Sequence, residues 1–421
     1  MKLKLLVFLI LFLISFEGFS QEGEVSSIQI NGAKKTKVGY LKRILDSKVG
    51  EPLDSTLLND DINRLKRLPA LSHASYTVTP KENNKYQIII TIEENFTIIP
   101  VVNFWTNNRS SIAYKLGVYD YNTFGRNIGF GGFYQNNGFD TYAVNFRAPQ
   151  LFSKKLGLAV NHQNWKSQEP LYFDDDVANY KYNNISLEIL GLYQLNSKNH
   201  FELGINIFKE KYDYLSGATN ASTPLNLDLN KLLYKFIYTY DNLKYNYQYP
   251  DGFKSQFYGQ LVKSEEKNND NFLIAWSDFF YFRRMGTKGN WANRLRMGLS
   301  TNNDSPFAPF SLDNNINLRG VGILVDRGTG SIVLNSEYRH TLFEKNWFSV
   351  QGNAFIDAGS WRNPGGKLND FTNDENIRLF SGIGLRIMHK RIYNAILRID
   401  YGHSLRSDGT KGFVFGVGQY F

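Results

Sequence analysis

The chain has 421 residues, a formal net charge of +9 and no cysteine, which excludes disulfide scaffolds, thiolate metal sites and cysteine nucleophiles. No apolar run near 18 residues follows residue 20, so helical membrane spans are excluded from that part of the chain. The 26 Tyr and 32 Phe residues, together with abundant Gly, favour a mainly β protein. Lys and Arg are scattered along the chain, which argues against a nucleic-acid partner.

The first 20 residues are typical of a secretory signal peptide. Lys2 and Lys4 precede an apolar run from Leu5 to Phe16, and small residues stand at Gly18 and Ser20. This order predicts cleavage after Ser20. An uncleaved membrane anchor is the weaker alternative, because the run is short for a hydrocarbon core of about 30 Å. The mature chain, which begins at residue 21, is therefore expected outside the cytoplasm.

Residues 21–95 are predicted to form a small mixed domain with the order β-α-α-β-β. A turn signal at Asn83-Asn84 separates its last two strands. An exposed edge strand of such a domain can recruit an extended client segment by strand addition, and a passive spacer is the alternative. The predicted elements are a strand over Val25–Ile30, helices over Val38–Leu45 and Leu57–Leu68, and strands over Ala74–Thr79 and Tyr86–Glu93.

Residues 96–421 are predicted to form a transmembrane antiparallel β-barrel, because apolar and polar residues alternate along many segments. In the segment 201–208, Phe, Leu and Ile stand at the odd positions, with Glu, Gly and Asn between them. In an outer-membrane barrel the apolar face contacts lipid and the polar face lines a wet interior. At roughly 20 residues per strand and loop, this stretch holds about 16 strands. An interfacial aromatic girdle is predicted at Tyr245, Tyr247, Tyr249, Trp347 and Phe348.

The final segment is predicted to be the last barrel strand and to carry a C-terminal assembly signal. Apolar residues are expected on one face of it, and they end on an aromatic residue. Two glycines are expected to make the seam of the barrel flexible, since glycine adds no cross-strand packing. The signal residues are Phe413, Phe415, Val417 and Phe421, and the glycines are Gly416 and Gly418.

One cation in a long loop is predicted to lie inside the barrel beside a carboxylate. Strand parity aims Asp357 into the lumen and places Glu337 on the alternate face of the preceding strand. Arg319 needs such a partner inside a barrel, because an unpaired buried charge is costly. We therefore predict a loop lock, formed by Arg319, Gly320, Glu337, Asp357 and Gly359, that pins the loop in the lumen.

These segments resemble the BamA/TamA superfamily of outer-membrane assembly and translocation proteins, also called bacterial surface antigens, which join POTRA domains to a 16-stranded barrel. Residues 22–95 look like one POTRA domain, and residues 122–127 look like the first barrel hairpin. Leu318-Arg319-Gly320-Val321 is similar to the sixth-loop motif, with Val321 in place of the usual aromatic residue, and residues 355–359 are similar to the matching strand motif. The resemblance implies that Arg319 holds the loop against Asp357. It also implies that the seam between the first and last strands opens sideways into the membrane.

The expected function is insertion, assembly or translocation of proteins at the bacterial outer membrane, with the POTRA-like domain in the periplasm. The expected partners are outer-membrane lipid and unfolded or periplasmic client proteins. A passive pore, a structural surface protein and a lipid-handling barrel are the alternatives, and a homo-oligomer also stays open. No P-loop, lipase motif or metal-ligand spacing is found in the sequence, so no enzyme activity, cofactor or metal is expected.

Overall fold

The computed structural model describes residues 23–106, 112–136, 138–173, 176–219, 223–264, 271–303, 306–313, 316–321, 326–406 and 409–421. The predicted signal peptide lies outside the described residues. Within these ranges, no helix combines the length and the apolar character needed to cross a membrane.

The N-terminal part folds as the expected β-α-α-β-β domain, in which two helices pack against a three-stranded sheet. Strand β3 lies in the middle of the sheet, parallel to β1 and antiparallel to β2. Buried Leu, Ile, Val and Ala side chains from all five elements form one core. The elements are β1 (Glu24–Asn31), α1 (Val38–Ile44), α2 (Ser55–Lys66), β2 (Leu71–Lys81) and β3 (Lys85–Glu94).

Local sequence signals explain the bounds of these elements. The Asp54 carboxylate caps α2 by accepting hydrogen bonds from the backbone N–H groups of Thr56 and Leu57, at 2.7 and 3.1 Å. Asn83 and Asn84 have φ angles of 59° and 53°, as a tight hairpin turn requires. Strands β2 and β3 are longer than predicted, because their ladder continues through polar residues up to this turn.

The rest of the chain forms one 16-stranded antiparallel sheet, in which each strand pairs with its neighbours in chain order. The mainly β fold with about 16 barrel strands is confirmed. Two further short strands, β15 (Phe310–Ser311) and β16 (Arg327–Gly328), pair with each other in the loop between β14 and β17. The barrel strands are β4 (Ile98–Thr106), β5 (Ile112–Thr123), β6 (Ile128–Asn136), β7 (Asp140–Ala148), β8 (Leu156–Phe173), β9 (Asp176–Gln194), β10 (Asn199–Gly217), β11 (Asn226–Asp241), β12 (Gly252–Ser264), β13 (Phe272–Met285), β14 (Gly289–Ser300), β17 (Gly330–Glu344), β18 (Phe348–Arg362), β19 (Ile377–His389), β20 (Ile396–Ser404) and β21 (Lys411–Val417).

The sheet curls into a barrel, because residues that are far apart in the strand order meet inside it. Phe421, after the last strand, packs against Leu243 and Phe282, which lie next to β11 and within β13. Arg327, in the loop after β14, pairs with Glu169 of β8 at 2.9 Å. Both contacts span about half of the sheet, which a flat sheet does not allow.

The barrel wall is apolar on the outside and polar on the inside, as the alternation predicts. On β10, Leu203, Ile205 and Ile207 are 67%, 37% and 57% exposed. Facing inward, Glu210 and Asp278 are only 5% and 3% exposed. This polarity is the reverse of that in a soluble protein and is typical of a wall that contacts lipid.

Seven short turns form the rim of the barrel on the side of the N-terminal domain, and we call this the near rim. The domain docks on it through direct hydrogen bonds. The backbone N–H of Lys37 donates to the carbonyl oxygen of Gly125 at 2.9 Å, and the Tyr40 hydroxyl donates to Gln150 Oε1 at 2.9 Å. The near-rim turns are residues 124–127, 149–155, 195–198, 242–251, 286–288, 345–347 and 390–395.

Three aromatic residues predicted for a lipid-facing girdle contact protein instead. The Tyr249 side chain is buried, and its hydroxyl donates to Thr341 Oγ1 at 2.7 Å. The Tyr247 ring stacks on His73 of the N-terminal domain, with ring centres 5.6 Å apart, and Tyr245 packs against the buried cluster that contains Leu243 and Phe282. The girdle prediction is wrong for these residues, because the ten-residue turn 242–251 is long enough to fold back across the barrel mouth.

The orientation of the wall can be tested on neighbouring residues of β10. Ile205→Arg is expected to lower the stability of the barrel in lipid vesicles by about 2–4 kcal/mol, because it places a charge against hydrocarbon. The matched control, Asn206→Arg, places the same side chain in the interior opposite Glu188 and is expected to be well tolerated. For both variants, the denaturant midpoint of unfolding is measured from the heat-modifiable migration of the barrel on gels. Equal losses would contradict the assigned faces.

Candidate functional site

The loop between β14 and β17 enters the barrel and buries Arg319 completely. A local turn prepares this entry, since the backbone N–H groups of Asn317 and Leu318 both donate to the carbonyl oxygen of Asp313, at 3.0 and 2.9 Å. Gly320 follows with a φ of +100°, a conformation that side-chain-bearing residues rarely adopt. The loop thereby reverses direction directly after Arg319.

The Arg319 guanidinium meets two carboxylates of the barrel wall. Its Nε and Nη2 atoms donate to Asp357 Oδ2 and Oδ1, both at 2.9 Å, and its backbone N–H donates to Oδ2 at 3.0 Å. Its Nη1 atom donates to Glu337. Such a fork-shaped contact fixes the orientation of both partners as well as their separation. The structure thus brings together Arg319, Gly320, Glu337 and Asp357 of the predicted loop lock.

The pair belongs to a larger group, which we call the lumen cluster. Arg386 Nη1 donates to Asp400 Oδ1 at 2.7 Å, and Arg339 donates to Glu337. The side chains of the cluster are at most 1% exposed, and its three formal positive charges match its three negative charges. Mutual pairing is what makes the burial of six charges tolerable. The members are Arg319, Glu337, Arg339, Asp357, Arg386 and Asp400.

Two aromatic rings enclose the loop cation. The guanidinium carbon of Arg319 lies 3.6 Å from the ring centre of Phe355 and 4.4 Å from that of Tyr420. Both distances fall within the range of cation–π attraction. Tyr420 comes after the last barrel strand and is 6% exposed, so the end of the chain takes part in holding the loop.

Glycines allow the loop and the wall to approach at backbone distance. A Cβ atom at Gly402 of β20 would lie 2.1 Å from the carbonyl oxygen of Arg319, and one at Gly320 would lie 2.8 Å from the Gly402 backbone. A Cβ atom at Gly359 would lie 2.9 Å from Leu318 Cδ1. Gly359 of the predicted lock therefore leaves room for the loop and forms no part of the charge pair.

Val321, at a position where the resemblance predicts an aromatic residue, packs among apolar side chains. It is 5% exposed and lies in a small core between the loop and the wall. The aromatic rings of this core come from strands β18 and β19. Its members are Leu312, Leu318, Val321, Val333, Trp361 and Phe380.

The prediction that four apolar residues share one face of the last strand is only partly correct. Phe413, Phe415 and Val417 are 64%, 67% and 57% exposed on one face of β21. The strand ends at Val417, and Gly418 has a φ of +89°, which turns the chain inward. The prediction that Phe421 shares the outward face is wrong, because the residues after this turn enter the barrel.

Sequence reasoning missed several residues around the loop. Arg386 and Asp400 face inward between outward-facing apolar residues, so the same parity argument that found Asp357 could have found them. Tyr420 and Gly402 carried no such signal. Gly416 leaves space for the Arg398 side chain, since a Cβ atom there would lie 2.3 Å from Arg398 Nε.

Among the residues that the structure describes, no group of His, Asp or Glu side chains is placed to hold a metal ion.

Comparison with known proteins agrees with this architecture. Residues 23–95 match the sequence model of the POTRA family, described as a surface antigen variable number repeat. The structure of BamA from Haemophilus ducreyi lacking POTRA domains 1–3 is similar to this chain, with a TM-score of 0.56 and 17% identity over 94% of this chain and 84% of that one. The chain has the fold of the BamA/TamA superfamily, with one POTRA domain.

CdiB, a second kind of barrel in the comparison, has a similar fold. CdiB from Acinetobacter baumannii has a TM-score of 0.60 and 13% identity, over 95% of this chain and 74% of that one. CdiB from Escherichia coli has a TM-score of 0.61 and 12% identity, over 94% and 75%. No curated protein matches the sequence significantly. The likeness is therefore one of fold, and the function of this chain has to be argued from its own residues.

The contribution of Arg319 can be measured by substitution. Arg319→Ala is expected to destabilise the barrel by about 3–5 kcal/mol and to speed proteolysis of the loop, because it leaves the buried Asp357 without its cation and removes one of the three arginines that pair with Glu337. Arg327→Ala is the control, since it removes a partly exposed ion pair from the same loop and is expected to cost at most about 1 kcal/mol. Similar denaturant midpoints for the two variants would contradict a central role for Arg319.

A second substitution tests backbone contact without touching a charge. Gly402→Ala is expected to destabilise the barrel by about 1–3 kcal/mol, because its new methyl group overlaps the Arg319 carbonyl oxygen. Gly412→Ala is a close control: Gly412 lies directly opposite Gly402 on β21, and a methyl group there meets no atom within 4 Å. The idea fails if thermal unfolding does not distinguish the two variants.

Proposed function

We propose that this protein is a bacterial outer-membrane barrel that inserts or translocates other proteins. In this proposal residues 1–20 direct export, residues 21–95 form a periplasmic POTRA domain and residues 96–421 cross the membrane. The fold shared with BamA and CdiB and the apolar outer wall support it. The observation that carries it is the seam: in the described residues, β4 and β21 are the two ends of the sheet and form no ladder with each other.

At the seam between β4 and β21, the last strand is short, and hydrogen bonds among the described residues hold the two sides together only at the near rim. Strand β21 holds to β20 through seven residue pairs, against 17 between β9 and β10, so β21 is the easier strand to displace. At the near rim, the Phe96 N–H donates to the Arg391 carbonyl oxygen at 2.8 Å, and the Tyr393 N–H donates to the Phe96 carbonyl oxygen at 3.1 Å. Free strand edges above these bonds can pair with an incoming strand.

The POTRA domain offers a second strand edge. The outer edge of β1 is covered, since the Val25 N–H donates to the Glu51 carbonyl oxygen and the Gly50 N–H donates to that of Val25, both at 2.9 Å. Strand β2 pairs only with β3 among the described residues. We assign β2 as the edge that receives an extended client segment before it reaches the barrel.

The lumen cluster would control the seam in this mechanism. Arg319 holds the loop to the wall through Asp357, and its ring contact with Tyr420 joins the loop to the residues that follow β21. Displacing β21 therefore requires Tyr420 to leave the loop cation. A passive pore is the second candidate, and the loop and chain end that fill the interior beside β17–β20 count against a wide permanent channel.

The free edge of β2 provides the test of function. Pro80 lies in β2, so the N–H direction at position 80 points away from β3, and by alternation the N–H of Val78 does too. Val78→Pro is expected to slow the folding of an unfolded outer-membrane barrel client into vesicles that contain this protein, towards the rate in empty vesicles. The measurement is client folding followed by gel migration.

Val78→Ala is the control, because it removes similar packing from the domain core and keeps the N–H group. It is expected to fold clients at nearly the wild-type rate. If the wild-type protein does not accelerate client folding, and instead shows large conductance that Arg319→Ala leaves unchanged, the passive pore is the better assignment.

A further inference from the structure

The near rim is strongly basic. Each of its seven turns carries Lys or Arg, whereas Asp251 is the one acidic residue in them. Lys154 and Lys390 form ion pairs with Asp46 and Glu344. An even spread of the other cations around one rim favours contact with an anionic surface. The cations are Arg126, Lys154, Lys155, Lys198, Lys244, Lys288, Lys345, Lys390 and Arg391.

Four cationic residues lie together where the POTRA domain meets the first near-rim turn. Here a cavity of about 630 Å³ is lined mainly by cationic side chains and one exposed aromatic ring. We call these residues the basic patch. It consists of Lys34, Lys35, Lys37, Phe124 and Arg126.

Backbone contacts build this patch from two separate segments. The Lys37 N–H donates to the Gly125 carbonyl oxygen at 2.9 Å, and Asn122 Nδ2 donates to Thr36 Oγ1 at 3.0 Å. A Cβ atom at Gly125 would lie 2.2 Å from the Lys35 carbonyl oxygen. The lysines of the domain and the turn that carries Arg126 are therefore held side by side.

The charge of the patch is only partly balanced. Lys35 Nζ lies 3.5 Å from Asp120, and Glu94 accepts hydrogen bonds from the backbone N–H groups of Lys35 and Thr36. Lys34, Lys37 and Arg126 are exposed and form no ion pair with any described residue. The patch thus has cationic groups available for an anion.

Apolar neighbours place the patch at the level of a membrane surface. Phe124 is 77% exposed at the tip of its turn, and Phe152 on the next near-rim turn is 67% exposed. The outward face of β6 starts close by with Phe130, which is 52% exposed. Exposed aromatic rings beside Lys and Arg, directly below a lipid-facing wall, are typical of the interfacial zone of a bilayer.

We propose that the basic patch binds the phosphate headgroup of an anionic phospholipid in the leaflet next to the near rim. Phe124 inserts at the headgroup boundary, while Lys34, Lys37 and Arg126 contact the phosphate. The bound lipid bridges the POTRA domain and the first turn, and so favours the docked position of the domain. This inference rests on the proposed membrane location of the barrel.

The test counts the lipids that stay bound to the full chain. The protein is reconstituted in bilayers with equal amounts of phosphatidylglycerol and phosphatidylcholine, released, and analysed by native mass spectrometry. The wild type is expected to retain phosphatidylglycerol preferentially. The triple variant Lys34→Gln, Lys37→Gln, Arg126→Gln is expected to lose this preference by roughly tenfold or more, because each cation strengthens attraction to an anionic surface by about fivefold.

A charge-matched control removes three exposed lysines elsewhere, as Lys81→Gln, Lys85→Gln and Lys367→Gln. Lys85 lies at the opposite end of β3 from Glu94, about 30 Å away at the usual rise per residue. This control is expected to keep the preference. Equal retention of both lipids by the wild type, or equal loss in the two triple variants, would each overturn the proposal.

Heat-modifiable migration and client folding are measured on the same samples, so the two proposals fail separately. Loss of lipid preference with normal client folding leaves the proposed function intact. Normal lipid preference without client folding supports the basic patch and rejects the assembly role.

Discussion

The contact between Arg319 and Asp357 is the interaction on which the interior of the barrel depends. A guanidinium without solvent needs a carboxylate held at the correct distance, and a carboxylate in the same place needs the guanidinium. The three arginines and three carboxylates of the lumen cluster meet this condition for one another. The loop between β14 and β17 is therefore a structural part of the wall that encloses it.

Much of this architecture could be predicted from the sequence, because the period of two in a barrel strand separates lipid-facing from interior side chains. That period assigned the outward residues of β10, and it placed Asp357 and Glu337 inside. The resemblance of Leu318-Arg319-Gly320-Val321 to a family loop motif then pointed to Arg319, and the need of a buried cation for a counter-charge paired it with Asp357. The helix cap at Asp54 and the turn at Asn83 and Asn84 carried equally local signals.

Features that depend on a single backbone angle or on close packing could not be predicted in this way. The inward turn at Gly418 removes Phe421 from the outward face, and strand periodicity contains no information about it. The turn that contains Tyr249 folds across the barrel mouth because it is long. Its aromatic residues suggested a membrane girdle, so the sequence pattern did not indicate this fold. Gly402 is required only because the loop backbone lies against it, a contact between segments about 80 residues apart.

The position of Tyr420 above Arg319 links the end of the chain to the loop inside the barrel. The ring covers the guanidinium from the side of the chain end, so residues 418–421 help to enclose the loop cation. Removal of the residues after β21 would therefore uncover one face of the buried guanidinium.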